Sequence, residues 1–164
     1  MSPRRVRCAT IAALLSLWSS ASGCHATETF EPSAAGVLVT AEPLQVTLAN
    51  NLRGWEQTVS TNGTQRSFRL GKLFRQLFPA QDGRAFLSPI AASLDSRWSV
   101  ERGAWEARTT FALTLQIEGV RHDLSALGEG ASPTDPREAE HAAIEQCMAG
   151  IYAQAAALLA GKGV

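Results

Sequence analysis

The chain has 164 residues, with 15 basic and 15 acidic side chains that leave no formal net charge at pH 7. This length predicts one domain around a single core. The balanced charge lacks the basic footprint of nucleic-acid-binding proteins, so we expect no nucleic-acid partner. Three cysteines are also too few for a disulfide scaffold.

The chain starts with a short apolar run behind a basic segment. Residues 1–7 carry three arginines and no acid, residues 8–18 (CATIAALLSLW) are almost wholly apolar, and small residues follow at 19–23. This order is typical of a secretory signal. The apolar run has 11 residues, whereas a membrane-spanning helix needs roughly 20. The segment therefore predicts export.

The stretch ASGC at residues 21–24 resembles the end of a bacterial lipoprotein signal, in which small residues precede a cysteine. Ala21 stands where that family usually has leucine or another large aliphatic residue. The resemblance covers the signal alone. It implies that residues 1–23 are removed as a signal peptide and that Cys24 is lipidated, with palmitate among its acyl chains. Ordinary cleavage after Ala21 or Gly23, without lipid, is the alternative.

The residue after the lipid-carrying cysteine bears on location. His25 occupies this position, not aspartate, which by the same resemblance implies the periplasmic face of the outer membrane. One acyl chain binds membranes only marginally, whereas two anchor a protein stably. Lipoproteins of this type are expected to carry more than one.

Loss of the signal would change the charge and the cysteine count. Residues 24–164 contain 12 basic and 15 acidic residues, a net charge of −3, and two of the three cysteines. If Cys24 carries lipid, Cys147 is a free thiol on the apolar face of a predicted helix, where cysteine behaves as a small buried hydrophobe. A Cys24–Cys147 disulfide is the alternative.

Residues 24–36 are predicted to hold the lipidated cysteine and a tether. Residues 25–36 follow no helical or strand period and contain Pro32 and Gly36. Fully extended, the tether reaches at most about 40 Å, at ~3.3–3.6 Å per residue. We expect residues 37–164 to form a single domain close to the membrane.

The domain starts with a predicted strand over about 37–48. Its apolar residues alternate in two opposite frames that meet at Pro43, which is typical of an edge strand or a bulge. A helix is predicted over about 65–78, where Gly71 costs about 1 kcal/mol relative to alanine. Pro79 stops this helix, and its apolar face comprises Leu70, Leu73, Phe74, Leu77 and Phe78.

The centre of the domain predicts three consecutive strands. Residues 101–103 (ERG) predict a hairpin turn between the first two. The second strand is the clearest, with one wet face and an apolar face made of Phe111, Leu113, Leu115 and Ile117. Residues 120–130 predict the third strand, with an end loosened by Gly128 and Gly130.

The last predicted element is a helix over about 136–160. Asp135 is its N-cap, Pro136 occupies its first position and Glu138 completes a capping box. Gly161 ends it. Its continuous apolar stripe comprises Ile144, Cys147, Met148, Ile151, Tyr152, Ala155, Leu158 and Leu159.

The element order β-α-β-β-β-α predicts an α+β fold. Two helices with wide apolar stripes need a sheet face to cover them. We therefore expect a two-layer sandwich, with a mainly antiparallel four-stranded sheet and both helices on one face. The opposite face should stay polar, and its predicted members include Thr110, Thr114, Gln116 and Glu118.

A basic set accompanies the helix predicted over 65–78: Arg66, Arg69, Lys72 and Arg75. At a spacing of three residues these side chains would form a stripe beside the apolar face. The plain interpretation is a solvated face. The functional interpretation is contact with anionic lipid headgroups or an acidic partner. Further candidates for exposed anchors are Trp55, Trp98 and Trp105.

Catalytic and metal signals are weak. The three histidines, His25, His122 and His141, lack metal-ligand spacing, so we predict no metal. His122 and Asp123 would point to opposite faces of a strand, and no segment resembles a nucleophile elbow. We expect no enzyme activity and no cofactor, with a hydrolase that uses His122 and a nearby serine as the alternative.

The sequence thus predicts a non-catalytic, lipid-anchored accessory protein of the bacterial envelope. Its membrane contact would be the lipid on Cys24, and its partner another envelope protein or lipid. In architecture the domain resembles small outer-membrane lipoproteins, including the lipopolysaccharide-assembly and transport-auxiliary lipoproteins, which implies an assembly or transport-auxiliary role. The alternative is a periplasmic carrier with a cavity for a small apolar ligand or lipid between helices and sheet.

Overall fold

The computed structural model describes residues 27–32, 42–61, 63–79 and 84–161, and its fold is α+β, as predicted. The strands are β1 (Thr27–Phe30), β2 (Thr47–Leu48), β3 (Glu56–Thr61), β4 (Thr64–Arg69), β5 (Ala85–Ser99), β6 (Ala104–Ile117) and β7 (Val120–Ser132). The helices are α1 (Asn50–Arg53), α2 (Leu70–Leu77) and α3 (Pro136–Leu159). Within these residues the strands form two sheets, β2-β5-β6-β7 and β1-β4-β3, so the predicted order and single sheet are not matched.

The larger sheet is built around the antiparallel meander β5-β6-β7, and the short β2 pairs with β5 in parallel. The turn at residues 100–103 joins β5 to β6, as predicted. Glu118 and Gly119, with φ of +50° and +87°, join β6 to β7, as in a type I′ turn. The predicted burial of alternate β6 side chains is confirmed for Phe111, Leu113 and Leu115.

The opposite face of this sheet is mainly polar, and we call it the outer sheet face. Thr110 and Gln116 are exposed there. Thr114 is buried, however, and its hydroxyl donates to Asp123 Oδ1 at 3.2 Å. Glu118 lies in the turn beyond the strand.

Helix α3 covers the inner face of the sheet along β6 and β7. Asp135 is its N-cap, as predicted, and accepts a hydrogen bond from the N–H of Arg137 at 2.9 Å. Glu138 does not complete the capping box, because its carboxylate accepts from the Ser132 hydroxyl at 2.7 Å. This bond ties the start of the helix to the end of β7.

Two glycines of β7 let α3 approach the sheet closely. A Cβ at Gly128 would lie 1.9 Å from the Ala143 carbonyl oxygen, and one at Gly130 would lie 2.0 Å from that of Ala139. The expectation that these glycines loosen the strand is wrong, since β7 continues to Ser132. They are the contact surface for the helix backbone.

The helix predicted over 65–78 is helical only from Leu70 to Leu77. The residues before it form β3 and β4, which pair as an antiparallel hairpin. In the sequence, Asn-Gly, a dipeptide typical of hairpin turns, separates the two strands, and Gly63 has φ of +77°. The helical spacing is correct for α2, but it does not extend back into β4.

Strand β1 lies inside the predicted tether, so that prediction is wrong for residues 27–30. β1 pairs with β4 in parallel, and the Phe30 ring stacks on Phe68 with 5.5 Å between centroids. Of the strand predicted over 37–48, the structure shows only β2. Residues 42–46 are irregular and 37–41 lie outside the described residues.

Helix α3 joins the two sheets. The Arg66 guanidinium of β4 donates to both carboxylate oxygens of Glu140 at 2.8 and 2.6 Å. The His141 ring contacts Phe30 and Phe68 edge-on. Helix α2 packs mainly against α1 and β3, and one apolar core connects all these elements.

Candidate functional site

The four predicted basic residues do not form a helical stripe. Arg66 and Arg69 lie on β4, whereas Lys72 and Arg75 lie on α2. Arg66 is only 4% exposed and is ion-paired with Glu140, whose hydrogen bond raises the pKa of the guanidinium. Because its side chain is buried and already paired with Glu140, Arg66 is not available for a contact at the surface.

The other three residues are exposed and lie beside Arg53, the last residue of α1. We call these four residues, Arg53, Arg69, Lys72 and Arg75, the α2 patch. Arg75 Nη1 donates to the Arg53 carbonyl oxygen at 2.7 Å, which holds the two helices together. Gly71 makes this packing possible, because a Cβ there would lie 2.0 Å from the same carbonyl oxygen. The sequence did not predict Arg53 as a member of this patch, because the four-residue helix that carries it shows no periodic pattern.

Two carboxylates border the α2 patch. Lys72 Nζ lies 2.8 Å from Glu31 Oε2, and both side chains are about half exposed. This hydrogen bond, with the charges of Lys72, Arg69 and Arg75, lowers the pKa of Glu31. Glu56 lies opposite Arg69 in the β3–β4 register. With four basic residues and two acidic ones, the patch keeps a net positive charge.

Two tryptophans meet where β5 turns into β6. Trp98 lies opposite Trp105, with ring centroids 5.6 Å apart in an edge-to-face arrangement. Trp98 is 45% exposed and Val100, in the turn, is 86% exposed. We call residues 98–105 the hairpin tip. Trp55, in contrast, is half-buried against two core phenylalanines.

A hollow of about 690 Å³ lies on the outer sheet face near the hairpin tip. Ion pairs cross it, including Arg108–Glu129 at 2.5 Å and Arg102–Glu106 at 3.1 Å. A lining rich in charged side chains does not favour an apolar ligand. Its charged members are Asp95, Arg97, Arg102, Glu106, Arg108 and Glu129.

The residues considered for catalysis are not assembled into a site. His122 and Asp123 are neighbours on β7 and therefore project to opposite faces. Among the described residues, no group of three His, Cys, Asp or Glu side chains has the geometry to hold a metal. Cys147 is buried on the side of α3 that faces the sheet, as predicted, and burial raises the pKa of its thiol to about 11. The thiol is therefore protonated at neutral pH.

Cys24 and the predicted signal lie outside the described residues. No helix in the described part of the chain is both long and apolar enough to span a membrane. No protein-family model matches this sequence, and no curated protein matches it either.

Proposed function

We propose that this chain is an exported lipoprotein, held on the periplasmic face of the outer membrane by lipid on Cys24. The observation that carries the proposal is the order of basic segment, apolar run, small residues and cysteine within residues 1–24. The folded domain then begins close behind the anchor, since β1 starts at Thr27.

The role that fits this chain is that of a non-catalytic accessory protein that binds another envelope component. The α2 patch supports this role, because it is exposed, net positive and held in place by the contact between α1 and α2. Arg69, Lys72 and Arg75 are its contact residues. An acidic protein surface would complement the patch and be attracted to it over several ångströms.

A photoreactive amino acid at Gln76, exposed on α2, tests this role in cells of the native host. We expect a crosslinked protein that mass spectrometry identifies. Lys72→Gln/Arg75→Gln should reduce this adduct several-fold, because two positive contacts are lost. The matched control is Arg84→Gln/Arg121→Gln, which removes two exposed charges elsewhere and should leave the adduct unchanged. Equal adducts from both double variants, or crosslinks to lipid alone, would contradict the role.

A further inference from the structure

The start of β1 and the hairpin tip lie at the same end of the molecule, and we infer that this end binds the lipid surface. The Trp98–Trp105 pair and Val100 would insert among the headgroups beside the acyl chains of Cys24. This inference rests on the proposed lipidation of Cys24.

The start of β1 lies at the N-terminal end of α3. Glu28 interacts electrostatically with Arg137, in the first turn of that helix. β1 runs parallel to β4. The chain continues from β4 through α2 to Phe78, whose ring contacts Tyr152 near the other end of α3. Both strands therefore run in the direction of α3, and the chain enters β1 beside the first turn of that helix.

The hairpin tip lies at this same end. Trp105 is opposite Ser132, the last residue of β7. The Ser132 hydroxyl accepts from the N–H of Asp135, the N-cap of α3, at 3.2 Å. The turn beyond Trp105 therefore projects from the end of the molecule where α3 begins.

The distance from the anchor to this end is short. Only His25 and Ala26 separate Cys24 from Thr27. Three residues span at most about 11 Å when extended. Lipid on Cys24 would hold the start of β1 at the bilayer surface, with the hairpin tip beside it.

The chemistry of the hairpin tip suits the headgroup region. Exposed apolar side chains are ordinary when scattered, but here Trp98 and Val100 are exposed at the end of the molecule where β1 starts. Tryptophan favours the membrane interface because its ring is apolar and its N–H is polar. The neighbouring Arg97 and Arg102 are both ion-paired with Glu106, at 3.6 and 3.1 Å, and Glu101 in the turn brings the net charge of these four residues to zero. The contact is therefore apolar and should need no anionic lipid.

Tryptophan fluorescence of the mature protein, purified from membranes after expression of the full chain, tests this contact. Vesicles of phosphatidylcholine brominated near the headgroups should quench the emission. In a Trp105→Phe background, Trp98→Phe should remove most of the quenching, because it deletes the remaining tryptophan ring of the hairpin tip. Trp55→Phe, the matched substitution at a half-buried position away from the hairpin tip, should retain the quenching. Adding phosphatidylglycerol to the vesicles should change the result little.

Three outcomes would overturn this inference, and they distinguish its failure from that of the proposed function. If the protein carries lipid and floats with the vesicles but shows no Trp98-dependent quenching, the membrane contact is wrong and the anchor stands. Quenching that occurs only with phosphatidylglycerol would also overturn the apolar contact. If mass spectrometry finds no lipid on Cys24, the proposed function fails and this inference fails with it.

Discussion

Arg66 shows how the local structure of a single residue decides its role. In a strand, alternate side chains face the same side, so Arg66 and Phe68 of β4 face the core while Arg69 faces solvent. A buried charge needs a partner, and Glu140 provides one from a helix 74 residues further along the chain. Sequence spacing alone assigned Arg66 to the surface, because it cannot show that distant carboxylate.

Removing one member of the Arg66–Glu140 pair should destabilise the protein more than removing both. Arg66→Met leaves the Glu140 carboxylate buried without its partner, and we expect the free energy of unfolding to fall by about 3–5 kcal/mol. Arg66→Met/Glu140→Leu removes both charges and should recover most of that loss. Urea denaturation followed by circular dichroism measures both effects.

The control for this pair is Arg69→Met, on the exposed side of the same strand. It should change the free energy of unfolding by no more than about 0.5 kcal/mol. A loss below about 1 kcal/mol for Arg66→Met, the size typical of a surface ion pair, would contradict the buried role.

At the scale of elements, long segments with one clear period were predictable. α3, β6 and β7 each repeat a single pattern over more than ten residues, and caps or turns mark their ends. The segment over 56–69 was not predicted, because β3 and β4 are six residues each, mostly polar, and depend on distant partners for their burial. Its one local signal was Asn62-Gly63. β1 gave none, since it is stabilised by pairing with β4.

Helix α3 also covers part of the free edge of β7, the last strand of the larger sheet. The Gln154 amide accepts from the Ser125 N–H at 3.2 Å and donates to the Ser125 carbonyl oxygen at 2.8 Å. Gln146 accepts from the Glu129 N–H at 2.6 Å. These side chains form hydrogen bonds with backbone groups that would otherwise be free to pair with another strand. A partner is therefore better placed at the α2 patch than along this edge.

The close approach of α3 to β7 leaves no room for a side chain at Gly128 or Gly130. Gly128→Ala or Gly130→Ala drives a methyl group into a helix carbonyl, and because backbone cannot move aside easily, we expect the free energy of unfolding to fall by about 3 kcal/mol, the upper end of the usual range for overpacking. Gly54→Ala is the control, since nothing lies within 4 Å of its Cβ position. Chemical denaturation of the three variants compares them, and a Gly128→Ala protein as stable as Gly54→Ala would refute this packing.

At the scale of the whole molecule, the two candidate surfaces lie at different distances from the start of β1, and so from the proposed anchor. The hairpin tip is at the end where β1 starts, whereas Lys72 of the α2 patch pairs with Glu31, beyond the end of β1. Four strand residues span about 13 Å, and charges are screened over ~8 Å at physiological salt. The α2 patch is therefore better suited to an acidic protein than to the headgroups.

The proposed attachment point was inferred from the sequence alone, because a signal is a local pattern. The surfaces were not, since the Trp98–Trp105 pair depends on the hairpin register and the α2 patch on the packing of two helices. The predicted turn at residues 101–103 lies between those tryptophans in the sequence, but their pairing is seen only in the structure. Only the fold could show that they lie at the end where the chain enters β1.

The chemical state of Cys24 decides most directly whether the protein is a lipoprotein. The intact mass of the protein purified from membranes should correspond to a chain that begins at Cys24 and carries acyl chains, and Cys24→Ala should leave the membrane fraction. A chain that begins at Ser22, an unmodified Cys24, or a Cys24→Ala protein that stays with the membranes would contradict the anchor.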